Sequence, residues 1–348
     1  MSSAARRGFA SDNASGVHPE VLAAISAVNS GHAFGYGHDA YTRSVEARLA
    51  EEFGAEGGVF LVFNGSGANV VGLRAVCRPW EGVICAATAH LNVDEGGAPE
   101  AVGGLKLLST PTPDGKLTPA LVEPLIGRIG DEHAVQPRVL SITQVSELGT
   151  VYAPDEVRAL AELTHAHGML LHMDGARLSN AAAALGVGLG EASTGCGVDL
   201  LSFGGTKNGL LGGEAIVAGR AELAEPLLYL RKQSLQLASK MRFLAAQFDA
   251  LLTDSLWLRN ARHANTTAGR LADAVGGLPG VEITRPVQAN AVFATIPPAA
   301  TARLQEQFDF YVWDESRGEV RWMCSWDTTE EDVEAFATAL QESVVLVT

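Results

Sequence analysis

Cysteine and positive charge are both scarce in this 348-residue sequence. Its four cysteines form no CxxC pair and have no histidine at ligand spacing, so neither a zinc site nor a disulfide framework is indicated. Lys and Arg number 25 against 40 Asp and Glu, which gives a net charge of −15. A negative field of that size repels phosphate backbones and anionic lipids. We therefore expect neither nucleic acid nor membrane partners, and the scattered thiols fit the cytoplasm.

Long apolar runs are also missing. Nowhere do about 18 uncharged apolar residues follow one another, which is the length that a membrane-spanning helix requires. After Arg6 and Arg7 the chain continues with the polar stretch 8–19, and not with the apolar core of a signal peptide. These features predict a soluble protein that is not secreted.

Glycine, by contrast, is abundant, with 38 residues in a chain that is 47% hydrophobic. This composition is typical of α/β enzymes rich in glycine turns, and the length suffices for two or three domains. Short apolar runs alternate with helical patterns such as 154–168, which predicts a mostly parallel sheet covered on both faces. The predicted strands are 59–63, 82–86, 105–109, 138–143, 168–174, 198–205 and 214–219.

The regular alternation of predicted strands and helices ends in the last third of the chain. Residues 221–275 are predicted to be almost entirely helical, and a closing helix begins at Thr329. Between them lie shorter predicted strands, so we expect a smaller α+β domain whose boundary lies within 254–280. The short strands are 281–284, 289–296 and 319–326, and the tryptophans expected in the core of this domain are Trp313, Trp322 and Trp326.

Ligands of open α/β sheets bind beyond the carboxyl ends of the strands, where three turns draw attention. The first, FNGSGAN at 63–69, joins a strand to a helix whose free N–H groups suit a phosphate. After Gly65 and Gly67 the third position is Val70, so the GxGxxG pattern of a dinucleotide-binding oxidoreductase fails. A purely structural turn is the alternative.

The second turn follows a buried strand in LLHMDGARLSNA, 170–181. It carries Asp174, an acid that burial makes costly without a partner, and Arg177 three residues later. One alternative is that these two side chains only pair with each other. Another is that His172 and Asp174 bind a metal, although no third ligand is apparent.

The third turn lies in LLSFGGTKNGLLGGEA, 200–215, where two glycines precede Thr206 and Lys207. A lysine in such an apolar turn is desolvated, which favours the neutral amine, a nucleophile toward carbonyl groups. The alternatives are an ordinary exposed loop lysine and, for the whole chain, a non-catalytic binding protein. Together the three turns offer a phosphate cradle, an acid for a ring nitrogen and an amine for an aldehyde. Pyridoxal phosphate has the three matching groups, which are a phosphate, a ring nitrogen and an aldehyde.

Seven stretches, in order along nearly the whole chain, also carry a family resemblance: FASDNASG (9–16), FNGSGAN (63–69), TAHLNVDEGGAPE (88–100), HMDGAR (172–177), SFGGTKNG (202–209), LASKMRFL (237–244) and RWMCSWDT (321–328). They closely resemble the bacterial low-specificity L-threonine aldolases of the β-eliminating lyase superfamily, which are pyridoxal-phosphate enzymes of fold type I. HMDGAR and SFGGTKNG are the specific part of this resemblance.

The resemblance implies an N-terminal arm at 1–18, a large cofactor domain at 19–260 and a small C-terminal domain at 261–348. It implies reversible cleavage of L-threonine, L-allo-threonine and related β-hydroxy-α-amino acids to glycine and an aldehyde. The alternatives within this class are a β-eliminating lyase, a phenylserine aldolase, or a decarboxylase or aminotransferase on the same scaffold. It also implies a homo-oligomer, a dimer that shares its active sites and often pairs into a tetramer.

The resemblance further assigns roles to single residues. Lys207 would attach the cofactor, with His90 stacked on its ring as a candidate base; if 89–97 is helical, Asp94 could orient that histidine. Glu147 stands about where some relatives have a histidine, which leaves a base role for that loop unsupported. The remaining roles are Asp174 at the ring nitrogen; Gly65, Ser66, Thr206 and Arg177 among the cofactor contacts; Lys240 at the phosphate of a neighbouring subunit; and Ser11, Arg177 and Arg321 at the substrate carboxylate.

Overall fold

The computed structural model describes residues 7–346, so the first six residues of the predicted arm lie outside the described part. A seven-stranded sheet has the order β1-β7-β6-β5-β4-β2-β3, and a four-stranded sheet has the order β10-β11-β9-β8. The strands are β1 (Gly58–Val62), β2 (Glu81–Ala86), β3 (Lys106–Thr110), β4 (Gln136–Thr143), β5 (Leu170–Gly175), β6 (Leu200–Gly204), β7 (Glu214–Ala218), β8 (Glu282–Ile283), β9 (Ala291–Thr295), β10 (Tyr311–Asp314) and β11 (Glu319–Met323).

Strand direction in the large sheet determines where the polar turns meet. Strands β3, β2, β4, β5 and β6 run parallel, and β7 lies antiparallel between β6 and β1. Thr143 pairs with Asp174, and Asp174 pairs with Ser202, so the carboxyl ends of β4, β5 and β6 lie side by side. The predicted mostly parallel sheet and all seven of its strands are confirmed. The small sheet is antiparallel, as an α+β domain requires, although its strand β10 was not predicted.

Helices cover the large sheet and connect it to the small one. Strands β5, β6 and β7 are buried at every residue, as expected of strands that are covered on both faces. The helices are α1 (Pro19–Ala27), α2 (Ala40–Phe53), α3 (Gly65–Val76), α4 (His90–Val93), α5 (Ala98–Ala101), α6 (Pro119–Ile126), α7 (Pro154–Ala166), α8 (Leu178–Leu185), α9 (Ala224–Gln233), α10 (Arg242–Leu252), α11 (Leu256–Val275), α12 (Pro298–Gln305) and α13 (Glu330–Val345). Within 7–346, no helix combines the length and apolar character needed to cross a bilayer.

Two hydrophobic cores share helix α11. Leu256, near its start, packs in the core of the large sheet, whereas Leu271, near its end, packs in the core of the small sheet. The division predicted between residues 260 and 261 falls inside this helix and stays a prediction. Helix α13 begins as predicted, because the Thr329 hydroxyl accepts a hydrogen bond from the Asp332 amide.

The N-terminal segment is part of the small core. Phe9 is fully buried, and its ring centroid lies 4.5 Å from that of Phe336. Its amide donates to the Asp309 carbonyl at 2.7 Å, and its carbonyl accepts from the Met323 amide at 2.8 Å. Residues just before Ser11 are therefore held against the small sheet from both sides.

We predict that Phe9→Ala lowers the free energy of unfolding by about 3–5 kcal/mol, because it leaves a cavity in a closed aromatic cluster. The matched control is Trp80→Ala, since Trp80 is 57% exposed and its removal should cost about 1 kcal/mol or less. Urea denaturation followed by circular dichroism measures both losses. Equal losses in the two variants would contradict the packing described here.

Candidate active site

A cleft of about 490 Å³ opens at the carboxyl ends of the parallel strands. Its walls come from the N-terminal segment, the large sheet with its turns, and the small sheet. A compartment of about 220 Å³ adjoins it and shares seven of its lining residues. The cleft residues that sequence reasoning singled out are Ser11, Gly65, Ser66, His90, Asp94, Glu147, Asp174, Arg177, Lys207, Trp313 and Arg321.

Lys207 lies in the turn after β6 and lines both spaces. Its amine donates no hydrogen bond to any residue within 7–346, and burial and then the charge of Arg177 lower the pKa of Lys207. Two glycines before it permit the close packing of this turn. A Cβ on Gly204 would lie 2.5 Å from the Ala176 carbonyl oxygen, and one on Gly205 would collide with Leu210. The turn thus presents a half-buried amine to both spaces.

Asp174 lies one strand away, near the end of β5, and is 5% exposed. Its Oδ2 accepts a hydrogen bond from Asn69 Nδ2 at 2.9 Å, and its Oδ1 accepts one from the Ala176 amide at 3.0 Å. The alternative of a simple pair with Arg177 is wrong, because Arg177 binds elsewhere. His172 contacts serine hydroxyls through both ring nitrogens, which leaves neither nitrogen for a metal.

The turn at 63–69 places a helix start against the adjoining compartment. Gly65 and Ser66 open α3, so their amides have no partner within the helix, and a Cβ on Gly65 would meet open space. Asn64 caps the helix by accepting from the Gly67 amide at 2.7 Å. This arrangement leaves unpaired N–H donors at the edge of the compartment.

Thr206 and Glu214 line the inner wall of that compartment. The Thr206 hydroxyl accepts from the Gly213 amide at 3.1 Å, and Glu214 Oε2 accepts from the Gly205 amide at 3.0 Å. Burial raises the pKa of Glu214 to about 7. Glu214 was not identified from the sequence, because only the pairing of β7 with β6 brings it to this turn.

Arg177 forms a buried ion pair with Asp12. Its Nε and Nη2 donate to the two Asp12 oxygens at 2.7 and 2.8 Å, and Asn290 donates to Asp12 Oδ2 at 3.0 Å. Burial opposes ionisation of Asp12, but Arg177 holds the pKa of Asp12 below its ordinary value. The pair therefore joins the N-terminal segment, the large sheet and the small domain. Sequence reasoning missed Asp12, although it lies inside the FASDNASG stretch.

Arg321 and Ser11 face the cleft from the small sheet and the N-terminal segment. Arg321 Nη2 donates to the Ala10 carbonyl at 3.3 Å, while its buried Nε has no partner within 7–346. Its guanidinium lies over the rings of Tyr311 and Trp313, and burial, then the charge of Arg177, lowers the pKa of Arg321 to about 10. The Ser11 hydroxyl accepts from the Asn13 amide at 3.1 Å. The spare donors of Arg321 suit a carboxylate ligand.

Of the three tryptophans expected in the small core, Trp322 alone is fully buried there. Trp322 is fully buried, as expected, whereas Trp313 packs edge-on against Phe293 and forms part of the cleft wall. Trp326 is only partly buried and donates to the Gly16 carbonyl at 3.1 Å. The unpredicted strand β10 explains the Trp313 error, because it carries Tyr311 and Trp313 to the rim of the small sheet.

His90 begins the short helix α4 and is fixed by two carboxylates. Its Nδ1 contacts Glu95 Oε1 at 3.0 Å, and its amide donates to Glu147 Oε1 at 2.8 Å. The condition under which Asp94 could orient His90, a helix over 89–97, is not met, because α4 ends at Val93. The hydrogen bond to Glu95 raises the pKa of His90 against the effect of burial. Burial also raises the pKa of Glu147.

Lys240 is the one residue of the predicted set that lies apart. It is exposed and lines neither space of its own chain. Thr206 lines the adjoining compartment only, and the other predicted residues line the main cleft. The structure thus brings nine of the ten predicted side chains or amides to one connected space.

The donor set of this space fits pyridoxal phosphate. It contains a half-buried amine at Lys207, a buried carboxylate at Asp174, and the amides of Gly65 and Ser66, which have no partner within α3. These groups match the aldehyde, the ring nitrogen and the phosphate of that molecule. Within residues 7–346, no group of three or more His, Cys, Asp or Glu side chains is arranged to hold a metal ion.

Comparisons with known proteins agree with this geometry. The family model described as beta-eliminating lyase matches residues 8–297. A low specificity L-threonine aldolase of Pseudomonas aeruginosa is 46% identical over 94% of this chain and 95% of its own. One from Pseudomonas sp. is 45% identical over 96% of each chain.

A solved structure gives the same result. The threonine aldolase of Leishmania major is 29% identical, covers 97% of this chain and 99% of its own, and superposes with a TM-score of 0.91. A putative L-allo-threonine aldolase of Listeria monocytogenes, at 17% identity and a TM-score of 0.75, shares the fold. The chain belongs to the beta-eliminating lyase family, and its full-length relatives there are low-specificity L-threonine aldolases.

Proposed function

We propose that this protein is a pyridoxal-phosphate-dependent aldolase. It reversibly cleaves L-threonine, L-allo-threonine and related β-hydroxy-α-amino acids to glycine and an aldehyde. The observation that carries the proposal is the presence of Lys207, Asp174 and Arg321 in one cleft. The names of the two Pseudomonas relatives and of the Leishmania major structure support it.

Six residues of this chain would hold the cofactor. The Lys207 amine would attach its aldehyde, Asp174 would keep a proton on the ring nitrogen, and the Gly65 and Ser66 amides with Thr206 would bind the phosphate. His90 would lie against the ring. Once bound, the cofactor supplies a ring that accepts the electrons released at the substrate Cα.

The remaining cleft residues act on the substrate. Arg321 has a buried Nε without a partner within 7–346, which is free for the substrate carboxylate, and Ser11 and Arg177 line the same cleft as further donors. Fixing the carboxylate determines which bond at Cα is held in the reactive orientation, which is a large part of the catalytic effect. His90 Nε2 makes no hydrogen bond within 7–346, so it is able to accept the β-hydroxyl proton.

A second copy of the chain completes the proposed site. Apolar side chains are exposed beside Lys240: Phe34 is 81% exposed and Leu235 is 84% exposed. The Tyr36 amide donates to the Ser239 carbonyl at 3.0 Å, which joins these segments into one surface. Of the residues that line the adjoining compartment, Lys207 is the one lysine, no arginine is among them, and His90 is the one histidine. A phosphate bound there would therefore need another positive charge. We propose a homodimer in which Lys240 enters the partner site, with two dimers forming a tetramer.

The four cysteines are unpaired, which supports the proposal that the protein works in the reducing cytoplasm. Its substrate is a small amino acid, and the net charge of −15 argues against nucleic acid and membrane partners.

We predict that the purified protein, supplied with pyridoxal phosphate, converts L-threonine to glycine and acetaldehyde. Lys207→Ala should lower kcat by at least about 10⁴-fold, because it removes the group that acts directly on the cofactor. Lys106→Ala, at an exposed position in β3, is the matched control and should keep full activity. Release of ammonia and a keto acid would indicate the alternative β-eliminating activity, and full activity of Lys207→Ala would reject the assignment.

Subunit complementation tests the shared site. Lys207→Ala and Lys240→Ala chains, each of low activity alone, should recover activity when they are co-expressed and purified together through different tags. In each mixed dimer one site has both lysines and the other has neither, so about half of wild-type activity is expected. Mixed dimers without any recovery would show that Lys240 acts within its own chain or not at all.

A further inference from the structure

A buried amide links two carboxylates beside the cleft. Asn69 is 1% exposed, and its Nδ2 donates both to Glu95 Oε1 and to Asp174 Oδ2, each at 2.9 Å. Its Oδ1 has no partner within 7–346. Because ionised carboxylates only accept hydrogen bonds, the NH₂ group must be the part of the amide that faces them.

Glu95 extends this contact to His90. Its side chain is fully buried, and the oxygen that accepts from Asn69 is also 3.0 Å from His90 Nδ1. Its other oxygen is buried without a partner within 7–346. His90, Glu95, Asn69 and Asp174 therefore form a continuous chain of three hydrogen bonds. The His90 ring, 41% exposed, lies at the cleft end of that chain.

No lysine or arginine within 7–346 forms an ion pair with Glu95 or Asp174. Among the ion pairs within 7–346, Glu95 pairs only with His90, and Asp174 has no ion pair. Lys207 and Arg177 act on Asp174 through their charge without a direct contact. His90 is the ion-pair partner of Glu95, so a proton on the imidazole is favoured. The hydrogen bond to Glu95 and the charge of Asp174 raise the pKa of His90, while burial and Lys207 oppose them. Glu147, on the other side, contacts the His90 amide and not the ring.

We propose that Glu95 and Asn69 are positioning residues of the aldolase site. Glu95 holds the His90 ring through Nδ1, and Asn69 ties Glu95 to Asp174, so that the stacking ring and the ring-nitrogen acid keep a fixed relation. Neither residue touches substrate in this assignment, because both act through His90 and Asp174. The inference rests on the proposed function for its catalytic meaning, but its geometry is testable without turnover.

The first test is the titration of His90 in Glu95→Gln, a variant that keeps the side-chain shape and removes the charge. NMR of ¹³C-histidine-labelled full-length protein, with and without pyridoxal phosphate, measures the pKa of His90. A His90→Asn sample identifies which histidine signal belongs to His90. We expect the pKa of His90 to fall in both samples. The acid limb of the kcat profile should move to lower pH with it. A structural role alone would destabilise the protein without moving either titration.

The second test uses Asn69→Ala and the affinity for pyridoxal phosphate, measured by absorbance titration. Loss of two charge-assisted hydrogen bonds should raise the Kd about tenfold. The double variant with Glu95→Gln should lose less than the product of the two single losses, because the residues act as one unit. Asn180→Ala is the control, since Asn180 is a buried asparagine of α8 that lines neither space and bonds to Asn265.

An unchanged His90 pKa in Glu95→Gln, or fully multiplicative Kd losses in the double variant, would overturn the proposal. These results are independent of the reaction that the protein catalyses. If the His90 pKa falls as expected while L-threonine is not cleaved, the positioning role stands and the proposed function fails.

Discussion

The site depends on the meeting of one amine and one carboxylate at adjacent strand ends. Strands β5 and β6 run parallel and in register, so Asp174 and the turn that carries Lys207 reach the same edge of the sheet. Burying two such ions is costly in isolation, and each lowers the cost for the other through its opposite charge. The glycines at 204 and 205 make the approach sterically feasible. The remaining cleft residues gather around this pair.

The cleft is complete only when distant parts of the chain have packed together. The ion pair between Asp12 and Arg177, with Asn290 bound to the same carboxylate, joins the N-terminal segment to both sheets. Phe9 anchors that segment in the aromatic cluster of the small domain. Breaking a buried pair typically costs about 3–5 kcal/mol, because it leaves a charge without compensation. The positions of Ser11 and Arg321 in the cleft thus depend on the same packing that stabilises the fold.

Sequence reasoning succeeded where the signal was local. The strands of the large sheet and the turns around Gly65, Asp174 and Lys207 follow from apolar runs that end in glycine and polar residues. It failed where the signal was a contact between distant segments. Nothing near Asp12 indicates Arg177, and helical spacing from His90 pointed to Asp94 instead of Glu95. Gly96 and Gly97, both with positive φ, lie in the turn that follows the shortened helix. The missed strand β10 similarly hid the position of Trp313.

In the proposed site, pyridoxal phosphate binds covalently at one lysine. Borohydride reduction of the cofactor-loaded protein, followed by proteolysis and mass spectrometry of the labelled peptide, measures this directly. We expect the phosphopyridoxyl mass on Lys207 and on no other lysine, and loss of the label in Lys207→Ala. A label on Lys240 or another surface lysine, or none after loading with excess cofactor, would contradict the account.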